Sequence, residues 1–326
     1  MHLKRKIKWG IIGLGRIATS FANDLLLVAD AEIYAVASRN QDKANAFAEK
    51  FGAVKAYNNY DELINDADID ILYIATPHHV HASLSIEALN SGKHVLCEKP
   101  IAMNFKDASA MIKASRENQK FFMEAFWTRF NPSIRETLSK IRGNEIGEVK
   151  YIHADFGFKA ATSIERLTNL DLGGGSLLDI GVYPLFLSYL ILGKPKKILA
   201  AANFYTTKAD KQTSMILHYD DAQAVLHSNF LANSNMTASI SGTEGRINLD
   251  RVWHHTQSFA VIKNDEKEAY SFPLKGRGFT YEIEECHKCI KNKQIESKLW
   301  SHQNSLDLIE IVDEVKKQIG LEYPND

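Results

Sequence analysis

The chain has 326 residues, 45% of them apolar and 24% charged, with a formal net charge of −1. That length exceeds one ordinary domain, so two are expected, and the balanced charge excludes the cationic field that non-specific nucleic-acid binding needs. Three cysteines do not make a disulfide framework; with no apolar run read as a membrane span and no secretory leader pattern, a cytoplasmic protein without membrane or nucleic-acid partners is expected.

From Ile7 to about Met123, short apolar runs alternate with helical patterns. Strands are predicted at Ile7–Ile12, Glu32–Ala37, Ile69–Ala75, His94–Cys97 and Phe121–Met123. Several are continuously apolar, as strands covered by helices on both faces must be. Between the first two, Arg16–Val28 reads as an amphipathic helix with Ile17, Phe21, Leu25 and Val28 on one stripe. This rhythm predicts an α/β protein whose residues 1–123 form a Rossmann-type, doubly wound parallel sheet.

After Glu124 the rhythm changes. A long apolar helix is predicted from Gly174 to Leu192, closed by Gly193 and Pro195. Around it lie alternating segments at Val149–Phe158, Ile198–Thr206, Ser214–Tyr219, Ala224–Phe230, Met236–Ser241 and Phe259–Lys263. Turn residues punctuate them at Asp220-Asp221, Thr243-Glu244-Gly245 and Asn264-Asp265-Glu266. Residues 124–326 are therefore expected to form an α+β substrate-binding and oligomerisation domain. Its large, mostly antiparallel sheet would pack one face on helices and leave the other solvated or covered by a partner.

The turn after the first strand carries Gly13-Leu14-Gly15-Arg16-Ile17-Ala18. Glycine allows a tight turn and close backbone approach to a pyrophosphate, and the helix start at Arg16 and Ile17 offers free amides and a positive dipole end. A dinucleotide site is expected here. The end of the second strand reads Ser38-Arg39-Asn40, with no carboxylate until Asp42. A hydroxyl and a guanidinium suit a 2′-phosphate, which favours NADP over NAD.

Farther along stand Thr76-Pro77 with His81, the run Gly92-Lys93-His94-Val95-Leu96-Cys97-Glu98-Lys99-Pro100, and Gly173-Gly174-Gly175-Ser176 leading to Asp179-Ile180-Gly181-Val182-Tyr183-Pro184. With the glycine turn, these motifs resemble the Gfo/Idh/MocA oxidoreductase family over nearly the whole chain. Within it, Met123-Glu124-Ala125-Phe126-Trp127-Thr128-Arg129-Phe130-Asn131-Pro132 resembles the branch that contains dimeric dihydrodiol dehydrogenase and NADP-dependent D-xylose dehydrogenase. The resemblance implies cofactor contacts at Thr76, Pro77, His81 and Glu98, and homodimers or larger assemblies formed through the free face of the C-terminal sheet.

The residues carry matching chemistry. Oxidising an alcohol removes a hydroxyl proton as hydride leaves carbon, and Lys99, beside Pro100 at a strand end, is a suitable proton partner if its pKa is lowered. Tyr183 lies four residues after Asp179 and on the same helix face. Tyrosine stands at 183 where many relatives carry histidine, which leaves the main proton carrier open between Lys99 and Tyr183. Asp179 is read as orienting a substrate hydroxyl or Lys99.

Trp127, Phe156, Phe158, Trp253 and Phe279 are candidates for flat apolar walls suited to a sugar face or a cyclic diol, with Arg129 and Asp179 reading hydroxyls. His78, His79 and His81 have no carboxylate at ligand spacing, so no metal is expected. Cys286 and Cys289 read as small apolar residues on a helix over Tyr281–Lys291. The expected activity is NADP-dependent hydride transfer at a secondary alcohol or hemiacetal carbon of a cyclic polyol, aldose or trans-dihydrodiol. The rivals are a reductase of keto or anhydro sugars and a cofactor-binding sensor without turnover.

Overall fold

The computed structural model describes residues 5–161 and 163–324. They form two compact units, one made of residues 1–102, 106–127 and 275–306, the other of 103–105, 128–274 and 307–326. Where the sequence reading divides the chain once, after Met123, the units interleave. Residues 275–306 return to the first unit because Asp24 and Trp9 there supply partners for their helix.

The first unit holds six parallel strands: β1 (Ile7–Ile12), β2 (Ala31–Ala37), β3 (Lys55–Tyr57), β4 (Ile71–Ile74), β5 (His94–Glu98) and β6 (Phe122–Ala125). Their order is β3-β2-β1-β4-β5-β6, so the direction of winding reverses between β1 and β4. β4 is buried at every position, as its continuous apolar sequence demands. β3 is three residues long with only partly buried side chains, too brief for periodicity to reveal. The first helix runs Arg16–Leu25. Phe21, Leu25 and Val28 are buried, but Ile17 is 37% exposed, so the predicted stripe begins one turn too early.

Residues 275–306 contribute the helix Thr280–Lys291. The Asp24 carboxylate accepts from the backbone N–H groups of Arg277, Gly278 and Phe279, stabilising that helix start with a fixed negative charge. Lower on the same helix, His287 accepts from the Trp9 indole N–H at 2.9 Å through Nε2 and donates to Asp30 through Nδ1. Cys286 and Cys289 are free and buried in this packing.

The second unit is built on eight strands: β7 (Val149–Gly157), β8 (Lys197–Phe204), β9 (Asp210–His218), β10 (Gln223–Asn229), β11 (Ala238–Gly242), β12 (Arg246–Leu249), β13 (Ser258–Lys263) and β14 (Glu266–Ser271). They are ordered β14-β13-β12-β11-β7-β10-β9-β8, antiparallel except where β7 meets β10. The three predicted turns fall in the β9–β10, β11–β12 and β13–β14 connections. Asn264 and Asp265 both adopt positive φ there, the backbone of a tight hairpin. β12 and β14 fall outside the predicted strands; the side chains of β14 are largely exposed and leave no apolar signal.

Ile152, Ala224, Leu217, Ile240 and Ile247 stand in register on one face of this sheet and are buried. The opposite face, one residue out of phase, carries Tyr151, Leu199 and Ile216, which are 37–44% exposed. The predicted long helix is a π-helical turn, Leu177–Gly181, followed by the α-helix Val182–Leu192. Contrary to the sequence expectation, Leu170–Leu192 is long and apolar enough to cross a membrane by length and composition; 78% of its most apolar stretch is buried in the protein, so here it serves as a core helix.

Candidate active site

The functional residues of the first unit gather at the carboxyl edge of its parallel sheet. There the turns after β1, β4 and β5 lie side by side because those strands are neighbours in the order. Gly13 has φ +86°, and a Cβ would stand 2.6 Å from the Ala75 carbonyl oxygen, so only glycine fits. Gly15 precedes the helix with no side-chain cap, no acidic residue occupies the first turn, and Gly15, Arg16 and Ile17 are exposed. The amides of this helix start are therefore open to an anion. Thr76 Oγ1 is buried with no hydrogen-bond partner among the described residues. A glycine cradle, uncapped amides and an orphaned hydroxyl are what a dinucleotide site requires.

After β2, Ser38 is buried and Arg39 exposed; among the described residues the guanidinium has no carboxylate partner. Asn40 caps the next helix by accepting from the Lys43 N–H at 2.9 Å.

Lys99 follows β5. The Glu98 carboxylate accepts from the Tyr73 hydroxyl at 2.5 Å and from the Lys99 backbone N–H at 3.3 Å. Pro77 opens the short 3-10 turn His78–Val80. His81 differs from the sequence expectation of a cofactor contact. It is fully buried, and its ring nitrogens face the carbonyl oxygens of Pro100 at 2.9 Å and Thr76 at 3.1 Å. Burial pushes its pKa down to about 4, with the charges of Lys99 and His79 adding to the effect. Both ring nitrogens of His81 thus face the turns themselves. Trp127 stacks on Phe279 with centroids 4.4 Å apart and planes within 7°. Phe279 is 1% exposed, so it backs Trp127 rather than forming a wall of its own.

In the second unit, the turn before Tyr183 is anchored by a buried carboxylate. Asp210 Oδ2 accepts from Ser176 Oγ at 2.6 Å, the Leu177 N–H at 2.8 Å and Thr213 Oγ1 at 2.8 Å. Gly175, at φ +130°, lets this carboxylate close on the backbone; a Cβ would lie 2.2 Å from Oδ1. The π-turn that follows carries Asp179, whose carboxylate is 3.2 Å from Arg166 Nη1. Such single π-turns concentrate at functional positions.

Tyr183 opens the next helix beside Phe156, ring centroids 5.5 Å apart. Phe158 is partly exposed next to Phe156 and packs edge-on to Phe230. Arg129 is buried in the 3-10 turn Trp127–Phe130. Trp253 corrects the expectation of a pocket wall: it is fully buried and its indole N–H donates to the Asp155 carbonyl at 2.9 Å.

Its neighbour His254 is the residue the sequence reading passed over. The imidazole stacks on Phe156 at 4.3 Å and 14°, and lies 5.2 Å from the Tyr183 ring. Three anchors hold it: Trp253, the Thr128 hydroxyl donating to the His254 carbonyl at 2.6 Å, and Val252 in the left-handed region at φ +60°. A valine at positive φ before two histidines carries no sequence signal, because backbone strain is invisible to periodicity. Among the described residues, no group of three or more His, Cys, Asp or Glu side chains is arranged to hold a metal.

Residues 7–126 match the model of an oxidoreductase family with an NAD-binding Rossmann fold, and residues 134–248 match the GFO/IDH/MocA C-terminal domain. A trans-1,2-dihydrobenzene-1,2-diol dehydrogenase from Xenopus laevis is 37% identical, over 97% of this chain and 99% of that protein. A 3-ketoreductase from Actinomadura kijaniata, solved with NADP and TDP-benzene, superposes with a TM-score of 0.88 at 26% identity, covering 97% of this chain and 98% of the other. It has also been solved with a lysine replaced by alanine or glutamate and with a tyrosine replaced by phenylalanine. An aldose-aldose oxidoreductase from Caulobacter crescentus shares the fold, with a TM-score of 0.88 at 24% identity over 96% of this chain and 97% of that one.

Proposed function

Because this chain belongs to the Gfo/Idh/MocA family of oxidoreductases, we propose that it moves a hydride between NADP and a secondary alcohol or hemiacetal carbon of a cyclic polyol, an aldose or a trans-dihydrodiol. The observation that carries this reading is the similarity to trans-dihydrodiol dehydrogenases over nearly the full length, the Xenopus laevis protein being 37% identical. The site fits the cofactor: Gly13, Gly15 and the amides of Arg16 and Ile17 would hold the pyrophosphate, Thr76 and Pro77 would border the nicotinamide ribose, and Ser38 and Arg39 would hold the 2′-phosphate.

NADP, when bound, supplies the hydride acceptor in oxidation and, in its reduced form, the donor in reduction. The chain supplies the proton chemistry. As the carbon–hydrogen bond breaks, the hydroxyl proton passes to the Lys99 amine or the Tyr183 phenolate, and reduction returns it by the same route. Asp179 orients the reacting hydroxyl, and Phe156 and Phe158 offer flat faces to a ring. The lysine and tyrosine altered in the solved 3-ketoreductase are separated in its chain by the same interval as Lys99 and Tyr183 here, which supports giving both a role. That likeness also favours a second reading, in which a keto sugar is reduced by NADPH.

Tyr151, Leu199 and Ile216, exposed on the outer face of the eight-stranded sheet, support association of two copies through that surface. Three free buried cysteines suit a reducing cytoplasmic setting.

The test is the nicotinamide absorbance change with NADP and NAD across D-xylose, D-glucose, inositols and a trans-dihydrodiol, repeated with keto sugars and NADPH. Turnover with NADP on at least one alcohol is expected, and Lys99→Met should lower kcat by about two to four orders of magnitude while retaining cofactor binding. Near-normal turnover by Lys99→Met would remove Lys99 from the mechanism. Tight NADPH binding with no turnover across both panels would leave a sensor.

A further inference from the structure

We propose that His81 and Glu124 are positioning residues for Lys99, gripping the Pro100–Ile101 peptide group from its two ends. The proposal rests on the assignment of Lys99 as a proton carrier made above. All the atoms belong to the first unit. The carbonyl oxygen of that peptide, on Pro100, lies 2.9 Å from His81 Nδ1. Its N–H, on Ile101, donates to Glu124 Oε1 at 2.8 Å. One planar group, the second peptide after the lysine, is thus held at both its donor and its acceptor.

Each gripping side chain is itself held. Glu124 is 2% exposed, and its other oxygen accepts from Ser305 Oγ at 2.6 Å and from the Trp300 indole N–H at 3.2 Å. His81 is fully buried, and its second nitrogen faces the Thr76 carbonyl at 3.1 Å. The chain of contacts runs from the Thr76 turn through one imidazole and one peptide to a carboxylate. A single ring therefore lies between the Thr76-Pro77 turn and the peptide after Pro100, hydrogen-bonded to the latter.

A carbonyl oxygen only accepts, so each His81 contact calls for an N–H, and the neutral ring has one. The shorter contact assigns it to Nδ1, donating to Pro100. All three neighbours of Glu124 donate to it, and two of them, the Ile101 and Trp300 N–H groups, can do nothing else. The carboxylate form satisfies them, although burial pushes the Glu124 pKa up to about 7. Among the titratable groups around the pair are Lys99 toward both, Cys97 toward Glu124, and His78 and His79 toward His81, with the His78 ring 5.7 Å away.

Displacing a catalytic group by about 1 Å costs on the order of a hundredfold in rate. The experiment compares the unaltered protein with His81→Leu, His81→Asn, Glu124→Met and Lys99→Met. It reads amide exchange over residues 97–103 by mass spectrometry, NADPH binding by fluorescence, and kcat and KM for the substrate the panel identifies. His81→Leu and Glu124→Met should speed exchange of the Ile101 amide about tenfold and lower kcat about a hundredfold, with KM and NADPH affinity little changed. His81→Asn, whose amide nitrogen replaces Nδ1–H, should recover most of the loss. Native exchange and kcat in His81→Leu and Glu124→Met would overturn the proposal, as would equal loss in His81→Leu and His81→Asn. If Glu124→Met does not fold, the His81 pair decides alone. Full turnover by Lys99→Met beside altered exchange would sink the proton-carrier reading while leaving the grip established.

Discussion

At the scale of residues, identity and environment divide the work. Lys99, Asp179 and Tyr183 stand out by motif, and Arg39 by the absence of an acidic residue at the end of β2. Arg39→Ala should weaken NADP about ten- to a hundredfold while leaving NAD unchanged, since charge-assisted bonds to a phosphate are lost and none to a ribose hydroxyl. Fluorescence titration with both dinucleotides checks this; equal weakening of the two would refute the 2′-phosphate assignment. His81, Trp253 and Phe279 show where residue-level reading stops. Each has the right side chain for a site, yet each is committed elsewhere: His81 to two carbonyls, Trp253 to Asp155, and Phe279 to the underside of Trp127. His254 shows the reverse, since only the folded turn brings it against Phe156 and Tyr183.

At the scale of elements, the helix Thr280–Lys291 illustrates how packing overrides pattern. Asp24 stabilises its start, and Glu282 in its first turn is fully buried with neither carboxyl oxygen hydrogen-bonded among the described residues. Burial, joined by the negative charges of Glu98 and Asp24, holds the Glu282 pKa well above its ordinary 4.5. The folded chain therefore keeps a proton that the unfolded chain releases above about pH 4.5, so this residue lowers stability as pH rises from there toward its folded pKa. Glu282→Gln removes that contribution. Thermal melts at pH 5 and pH 8 should show a smaller loss of Tm on raising pH for the variant than for the unaltered protein; parallel losses would mean Glu282 is ionised in the fold. The same limit explains the missed strands, because β3 is short and β14 largely exposed, and neither has an apolar face to announce it.

At the scale of the molecule, the eight-stranded sheet leaves Tyr151, Leu199 and Ile216 exposed on its outer face. Light scattering should give twice the protomer mass, and Ile216→Lys should shift it to one protomer with the catalytic residues untouched; a monomeric unaltered protein would refute the dimer. The sequence by itself determined the succession of parallel strands and helices, the glycine turn, the Lys99 turn and the apolar helix bearing Tyr183, because these depend on local periodicity and on residue types with few alternative uses. The tertiary structure alone decided that residues 275–306 join the first unit, that His81 and Glu124 hold one peptide after Lys99, and that His254 rather than Trp253 lies against Tyr183. Those outcomes depend on contacts between residues far apart in the chain, where burial and the need to pair each buried polar group choose among partners that no local pattern distinguishes.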